Sequence, residues 1–175
     1  MQNLVAISAM GANRPGLVEP IVRAIRECGC NIAESRMAVM GDRFTLMLLL
    51  SGTWDAIAKI ENLLPRLQQD LNVTMTAQRA SPRVPAPNLM PYAIEVIAVD
   101  QIGIVHQIAQ FFARREINIE DMYSGNYAAA HTGTPMFSLH MTISIPTDLS
   151  IAAMRSDFMD FCDQLNLDAI MEPVK

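Results

Sequence analysis

The sequence predicts an α+β protein made of two β-α-β-β-α-β repeats, each an antiparallel sheet with both helices on one face. Three observations predict this fold class. The chain of 175 residues repeats its own pattern after 87 positions, and a proline-rich segment divides it into halves of about 80 residues. Each half also alternates strand and helix periodicities in the same order. A half of this size is enough for one small domain.

The dividing segment is residues 80–91, which read ASPRVPAPNLMP and contain four prolines. Each proline removes a backbone donor and disfavours helix in the residue before it. We therefore expect an extended linker between a first repeat at residues 1–79 and a second repeat at residues 92–175.

The elements of the first repeat follow from its periodicity and its turn residues. Asn13 is a candidate cap for the first helix, Gly29 is a candidate helix end, and Gly41-Asp42 indicates a tight turn between two strands. The predicted elements are a strand at 4–10, a helix carrying Leu17, Val18, Ile21, Val22 and Ile25, strands at 31–40 and 44–50, a helix at 57–71 and a strand at 73–78.

The second repeat matches the first element by element. NRPGLV at 13–18 aligns with DQIGIV at 100–105, and Asn31-Ile32 aligns with Asn118-Ile119. The offset then grows to 93, because six residues are added around 127–135, whose small residues and Gly-Thr-Pro ending suit a hairpin loop. The predicted elements are strands at 92–99, 119–127, 136–145 and 167–171, with helices at 104–112 and 151–165.

One face of each predicted sheet is left bare. Right-handed crossovers place both helices on the same face, which is the ferredoxin-like pattern. Thr45, Met47 and Leu49 then line the open face of the first sheet, and His140 lies on that of the second. An apolar open face calls for a cover. We expect the two repeats to dock as one unit and the chain to form a homodimer; another protein is the alternative cover.

Composition and charge exclude several classes of protein. With 51% hydrophobic and 18% charged residues the chain is not disordered, and its longest apolar run, 44–50, is too short to cross a membrane. The N-terminus has no signal-peptide pattern and the three cysteines suggest reduced cytosol, so we expect a cytoplasmic protein. The net charge is −5, and residues 92–175 alone carry −7, which argues against direct DNA binding.

Both halves resemble the ACT domain. The resemblance lies in a strand, an [N/D]-x-x-G-[L/I]-V turn that opens a helix, and an Asn-Ile that begins the next strand. NRPGLV is very near the family's turn, whereas DQIGIV keeps Asp100 and Gly103 and lacks the proline. The resemblance covers nearly the whole chain and implies a sensor of a small ligand, most often an amino acid.

A stand-alone tandem of ACT repeats is similar to the bacterial glycine cleavage repressors. That resemblance implies a protein that is not an enzyme and needs no cofactor. It implies control of transcription through a complex with a separate DNA-binding transcription factor, a complex that glycine favours. The alternative is a regulatory ACT subunit of an amino-acid metabolic enzyme whose catalytic chain is a separate polypeptide.

The chemistry of the two turns can be argued without the family. The first turn of a helix has unpaired N–H groups and a positive dipole end, so it attracts a carboxylate. The Asp100 carboxylate could form an ion pair with an ammonium group. Asn13 is neutral and could offer that group only a hydrogen bond. We expect Asn31 and Asn118 beside these turns, although all these residues could instead be ordinary caps and packing positions. The candidate ligand-binding residues are Asn13, Arg14, Pro15, Gly16, Leu17, Asn31, Ile32, Asp100, Gly103, Ile104, Asn118 and Ile119.

Other candidate chemistry is weak. Cys28 and Cys30 lack further ligands at zinc spacing, so buried thiols at a helix end are the better interpretation. His106 follows the second turn, where it is either a ligand contact or a solvated helix residue. The acidic set Asp157, Asp160 and Asp163 is a solvated helix face or a docking surface for a basic partner. No motif for a catalytic triad or a phosphate-binding loop is present.

Overall fold

The computed structural model describes residues 3–84 and 86–174, and it divides after Val84 into two compact units. Both have the predicted β-α-β-β-α-β order. The first unit contains β1 (Asn3–Ala12), α1 (Val18–Glu27), β2 (Asn31–Met40), β3 (Arg43–Gly52), α2 (Trp54–Leu71) and β4 (Val73–Ala80). The second contains β5 (Leu89–Val99), α3 (Ile104–Ala113), β6 (Asn118–Ala128), β7 (Pro135–Pro146), α4 (Ile151–Gln164) and β8 (Asp168–Pro173).

Each unit has one four-stranded sheet in which every neighbouring pair is antiparallel. The strand order is β2-β3-β1-β4 in the first and β6-β7-β5-β8 in the second. The predicted fold class is therefore confirmed. None of the helices in the described part of the chain is long and apolar enough to span a membrane.

The apolar core of each unit lies between its sheet and its two helices. In β3 the side chains of Phe44, Leu46, Leu48 and Leu50 are buried there, whereas Met47 on the opposite face is 62% exposed. This alternation is the one predicted from the sequence, since successive strand side chains point to opposite faces. In the second unit, three phenylalanines of α3 and α4, Phe111, Phe112 and Phe158, pack ring against ring within the core, with centroids 5.2–5.4 Å apart.

The turn residues explain several element ends. Gly41, at φ +61°, turns β2 into β3 as predicted. The predicted hairpin loop in the second unit is also present, because residues 129–134 connect β6 to β7. After α1, Gly29 has φ +82°, Gly29 N–H bonds to Arg26 O at 3.0 Å, and Cys30 N–H bonds to Ile25 O at 3.1 Å. These two bonds form a Schellman motif, so Gly29 ends the helix as expected.

The strands beside the proline-rich segment are longer than predicted. β4 continues through Ala80, and β5 begins at Leu89 rather than at Tyr92. Pro91 therefore lies within β5, where it is paired with Ser144 of β7. The Pro91 carbonyl accepts a hydrogen bond from Val174 N–H at 3.1 Å, just beyond the end of β8. The nitrogen of Pro91 faces this same side, where β8 has already ended, so its lack of an N–H removes no hydrogen bond between strands.

Candidate functional site

The turn that follows β1 is held by backbone and arginine contacts. Asn13 N–H donates to Asp42 O at 2.9 Å, and Arg14 Nη2 donates to Leu71 O at 2.9 Å, at the C-terminal end of α2. The residue that caps α1 is Leu17, which is buried and makes no side-chain capping bond. The prediction that Asn13 caps this helix is therefore wrong, because the helix begins later than its side chain can reach.

The equivalent turn after β5 contains a carboxylate with a polar partner. Asp100 N–H donates to Pro135 O at 2.9 Å, and the Asp100 carboxylate Oδ2 accepts a 2.7 Å hydrogen bond from Asn126 Nδ2 on β6. The residue that caps α3 is Gly103, so Asp100 is not the cap either. Sequence reasoning missed Asn126, whose proximity to the turn depends on the strand register.

The two helix starts differ in charge. The first turn of α1 contains Glu19, whose carboxylate would repel an anion, and Pro20, which has no N–H. The first turn of α3 contains no acidic residue. Its leading N–H groups lack partners inside the helix, as at any helix start. The first helical turn of α3 therefore lacks the acidic side chain that the first turn of α1 carries, where Glu19 pairs with Arg23 at 3.3 Å.

The glycines of both turns are required by the backbone. Gly16 has φ +84° and Gly103 has φ +99°, in the left-handed region that side chains other than glycine rarely adopt. A Cβ added at either position would meet nothing within 4 Å. Glycine is thus needed here for the path of the chain, and the space around it does not by itself indicate a ligand.

Asn31 and Asn118 do not lie beside the turn of their own unit, so the prediction of that position is wrong. Asn31 pairs with Ser51, which pairs with Leu4 at the start of β1, whereas the turn follows Ala12 at its end. Eight residues of strand separate the two positions, roughly 27 Å. The register of the second sheet places Asn118 at the far end from its turn in the same way.

The two asparagines also have different surroundings. Asn118 Nδ2 donates to Glu120 Oε1 at 2.9 Å, and the hydroxyl of the buried Ser144 donates to the same oxygen at 2.9 Å. In the aligned position of the first unit, Ala33 replaces Glu120. The strands of both units have an irregular register here, just after Ile32 and Ile119. The polar cluster around Glu120 therefore belongs to the second unit only.

The cysteines are shielded thiols. Burial raises the pKa of Cys28 and of Cys30, both of them half-buried, and raises that of the buried Cys162 to about 12. A raised pKa lowers the fraction of reactive thiolate. Within residues 3–84 and 86–174, no group of three His, Cys, Asp or Glu side chains is arranged to hold a metal ion.

The remaining predicted polar residues lie on the surface. His140 is on the open face of the second sheet, as predicted, where its ring stacks on Tyr123 with centroids 4.6 Å apart. His106 is exposed on α3. Asp157, Asp160 and Asp163 are exposed along α4, and an Asp157 carboxylate oxygen lies 3.7 Å from Arg115 Nη2.

The fold and the two glycine turns define the class of protein, a tandem pair of ACT domains. A sequence model of the ACT domain family matches residues 3–78. The chain is 33% identical over 167 residues to the glycine cleavage system transcriptional repressors of Escherichia coli (strain K12) and Shigella flexneri, which covers 94% of this chain and 87% of each relative. The chain belongs to the family of the glycine cleavage system transcriptional repressor, which supports a regulatory, amino-acid-sensing role.

Solved structures agree with this assignment. A crystal structure described as a glycine cleavage system transcriptional repressor superposes with a TM-score of 0.71 at 26% identity and covers 100% of this chain and 99% of its own. A protein of Galdieria sulphuraria described as unknown superposes with a TM-score of 0.80 at 22% identity over the full length of both chains. The second likeness shows the fold alone.

Proposed function

We propose that this protein is a non-enzymatic regulator that binds a small amino acid and represses transcription by contact with a separate DNA-binding transcription factor. Glycine is the first candidate ligand, because the relatives are named for the glycine cleavage system. The observation that carries the proposal is the second turn, where Asp100, three residues before the Gly103 cap of α3, keeps an exposed carboxylate that Asn126 holds by one oxygen.

The chemistry of that turn matches both ends of an amino acid. The N–H groups at the start of α3 suit the ligand's carboxylate, and the first turn of the helix itself contains no acidic residue. The Asp100 carboxylate suits the ligand's ammonium group. A carboxylate accepts several hydrogen bonds, so Asp100 can keep the bond from Asn126 and still accept one from an ammonium.

Contact with a protein rather than with DNA fits the charge of the chain. The net charge is −5 and the two sheets together hold no lysine, whereas DNA binding depends on Lys and Arg placed against phosphates. A partner protein that itself binds DNA would supply the positive charge that this chain lacks. The regulator then needs only a ligand site and a protein-binding surface.

Thermal unfolding with and without amino acids tests the ligand half of the proposal. Glycine at about a hundred times its Kd should stabilise the fold by about 2.7 kcal/mol, and the shift in Tm should grow with concentration. Acetate and methylamine, each with one of the two charged groups, are matched controls and should shift Tm much less. A chain that no amino acid stabilises would contradict the proposal.

A gel-shift experiment tests the partner half. The protein alone should not retard DNA from the glycine cleavage promoter, but with glycine it should change the mobility of the complex between that DNA and its transcription factor. Specific, salt-sensitive retardation by the protein alone would show that it binds DNA directly.

A further inference from the structure

The sheet of the second unit contains no lysine or arginine. Its four strands carry five acidic residues, Glu95, Glu120, Asp121, Asp168 and Glu172. The sheet of the first unit has the opposite balance, with one acidic residue, Glu34, and the three arginines Arg36, Arg43 and Arg79. Two sheets of the same fold have thus acquired opposite charge, which the fold itself does not require.

The face of the second sheet away from its helices is apolar as well as acidic. One row of cross-strand neighbours on this face crosses all four strands and consists of Tyr123, His140, Glu95 and Ile170. The large apolar side chains exposed on this face, with exposures of 44–62%, are Ile97, Val99, Tyr123, Tyr127 and Ile170. We call this surface the acidic sheet face.

The centre of the acidic sheet face is ordered by contacts among its own residues. The rings of Tyr123 and His140 are stacked at an interplanar angle of 15°, and His140 Nδ1 lies 3.7 Å from Glu95 Oε1. The exposed Asp168 and Glu172 lie on the edge strand β8, on either side of Ile170. A flat aromatic surface next to carboxylates suits a guanidinium group, which stacks on rings and pairs with carboxylates.

We propose that the acidic sheet face is the docking surface for a basic, amphipathic segment of the partner protein. Apolar side chains of the segment would cover Ile97, Tyr123 and Ile170, and its Arg or Lys residues would meet Glu95, Asp168 and Glu172. The inference rests on the proposed function in one respect, that the regulator acts through a protein partner. A DNA-binding partner is rich in the required basic residues.

A second copy that presents its own acidic sheet face is a poorer occupant of this face. Two copies meeting through it around a twofold axis would bring Glu95, Asp168 and Glu172 of one against the same carboxylates of the other, and like charges brought together at an interface are unfavourable. The absence of Lys and Arg from the strands leaves no cation of the sheet to compensate.

Binding of designed peptides to the full-length protein tests the proposal. The probe is a synthetic helical peptide with a leucine face and a lysine face. Its controls are a peptide with glutamate in place of lysine and one with serine in place of leucine. We expect only the leucine–lysine peptide to bind well, with NMR shift changes concentrated on the outward residues of β5, β6 and β8.

Two charge reversals distinguish binding of the peptide at the acidic sheet face from its general attraction to an acidic protein. Glu95→Lys should weaken binding of the leucine–lysine peptide roughly tenfold, and Ile170→Ala should weaken it without changing charge. Glu34→Lys, on the open face of the first sheet, changes the net charge of the protein as Glu95→Lys does and should leave binding within about twofold. Urea midpoints equal to the parent's confirm that the variants are folded.

Any of the following results would overturn the proposal. Equal weakening by Glu34→Lys and Glu95→Lys would mean non-specific charge attraction, and no binding of the leucine–lysine peptide would mean that the face is no docking site. If Ile170→Ala converts a dimer of the parent to monomers, the occupant is a second copy. Glycine-induced stabilisation measured on the same samples reports separately on the ligand half of the proposed function, and the gel shift with the purified transcription factor reports on the partner half.

Discussion

The Asn126 side-chain amide of β6 donates a 2.7 Å hydrogen bond to the Asp100 carboxylate, and thereby joins the hairpin of the second unit to the turn that opens α3. The first unit has Asn13 in place of Asp100, so its turn lacks this negative charge. The contact fixes one oxygen of a carboxylate that is otherwise exposed to solvent.

Asp100→Asn should weaken glycine binding roughly ten- to hundredfold, because the ammonium group loses a charged hydrogen-bond acceptor that contributes about 1.5–3 kcal/mol. The exposed position means that the free energy of unfolding should change by about 0.5 kcal/mol or less. Titration calorimetry of the parent and the variant measures the effect. Asn13→Ala is the matched change in the first unit and should bind as the parent does. Equal losses in both variants would contradict a ligand at the second turn.

Gly103→Ala should lower the free energy of unfolding by about 1–2 kcal/mol, because alanine is strained at φ +99°. No steric clash adds to this cost, since an added Cβ would meet nothing within 4 Å. Gly103→Asn should lose less stability than Gly103→Ala, because asparagine tolerates the left-handed region better than alanine does. Gly125→Ala on β6 is the control, because its added Cβ is equally unopposed and its φ is not positive. Urea unfolding that ranked Gly125→Ala as the more damaging change would refute the strain argument.

Glu116→Gly should stabilise the protein by about 1 kcal/mol. Glu116 follows α3 at φ +57°, in the place that Gly29 has after α1, and Ile117 N–H bonds to Phe112 O as Cys30 N–H bonds to Ile25 O. Glutamate is strained in this left-handed backbone conformation, whereas glycine is not. Glu116→Ala removes the charge but keeps the Cβ, so it should recover little of the gain in a thermal unfolding comparison. If alanine stabilises as much as glycine does, the charge and not the backbone is responsible.

The free energy of unfolding should fall as the pH rises from about 8.5 towards 12. An unfolded cysteine loses its proton near pH 8.5, whereas burial raises the pKa of Cys162 to about 12 in the folded protein. The folded state therefore binds more protons in this range, and the unfolded state gains stability as the pH increases. Urea unfolding at about pH 8 and about pH 10 should show a smaller decline in Cys162→Ala than in the parent. Parallel declines would show that Cys162 does not contribute.

Most of the fold could be predicted because it depends on local patterns. The strand β2 was predicted at its observed bounds, Asn31–Met40, since Gly29 and Gly41 mark its two ends. The buried and exposed faces of β3 follow from strict alternation. The duplication gave each pattern two independent occurrences, so a weak signal in one half was supported by the other.

The candidate site could be predicted only in part, because its geometry depends on distant pairings. The predicted position of Asn31 beside Gly16 is wrong, because α1, with ten residues, carries the chain about 15 Å back along the sheet before Asn31 begins β2. The bond between Asp100 and Asn126 joins residues that are 26 positions apart and depends on the register of β6. Asn13 and Asp100 have the residue types of helix caps, but the chain makes a glycine turn before each helix begins.

The absence of Lys and Arg from the second sheet also determines how a protease can attack the protein. Trypsin cleaves only after these residues, and beyond Val84 the sequence offers it Arg114, Arg115, Arg155 and the terminal Lys175. Arg114 and Arg115 directly follow α3, Arg155 is on α4, and Arg83 lies in the segment that connects the two units. Brief digestion of the folded protein should therefore cut first after Arg83 and release a fragment that begins at Val84 with every strand of its sheet intact. Whether that fragment then elutes with the first unit or alone in gel filtration would show if the two ACT domains hold each other without the peptide bond.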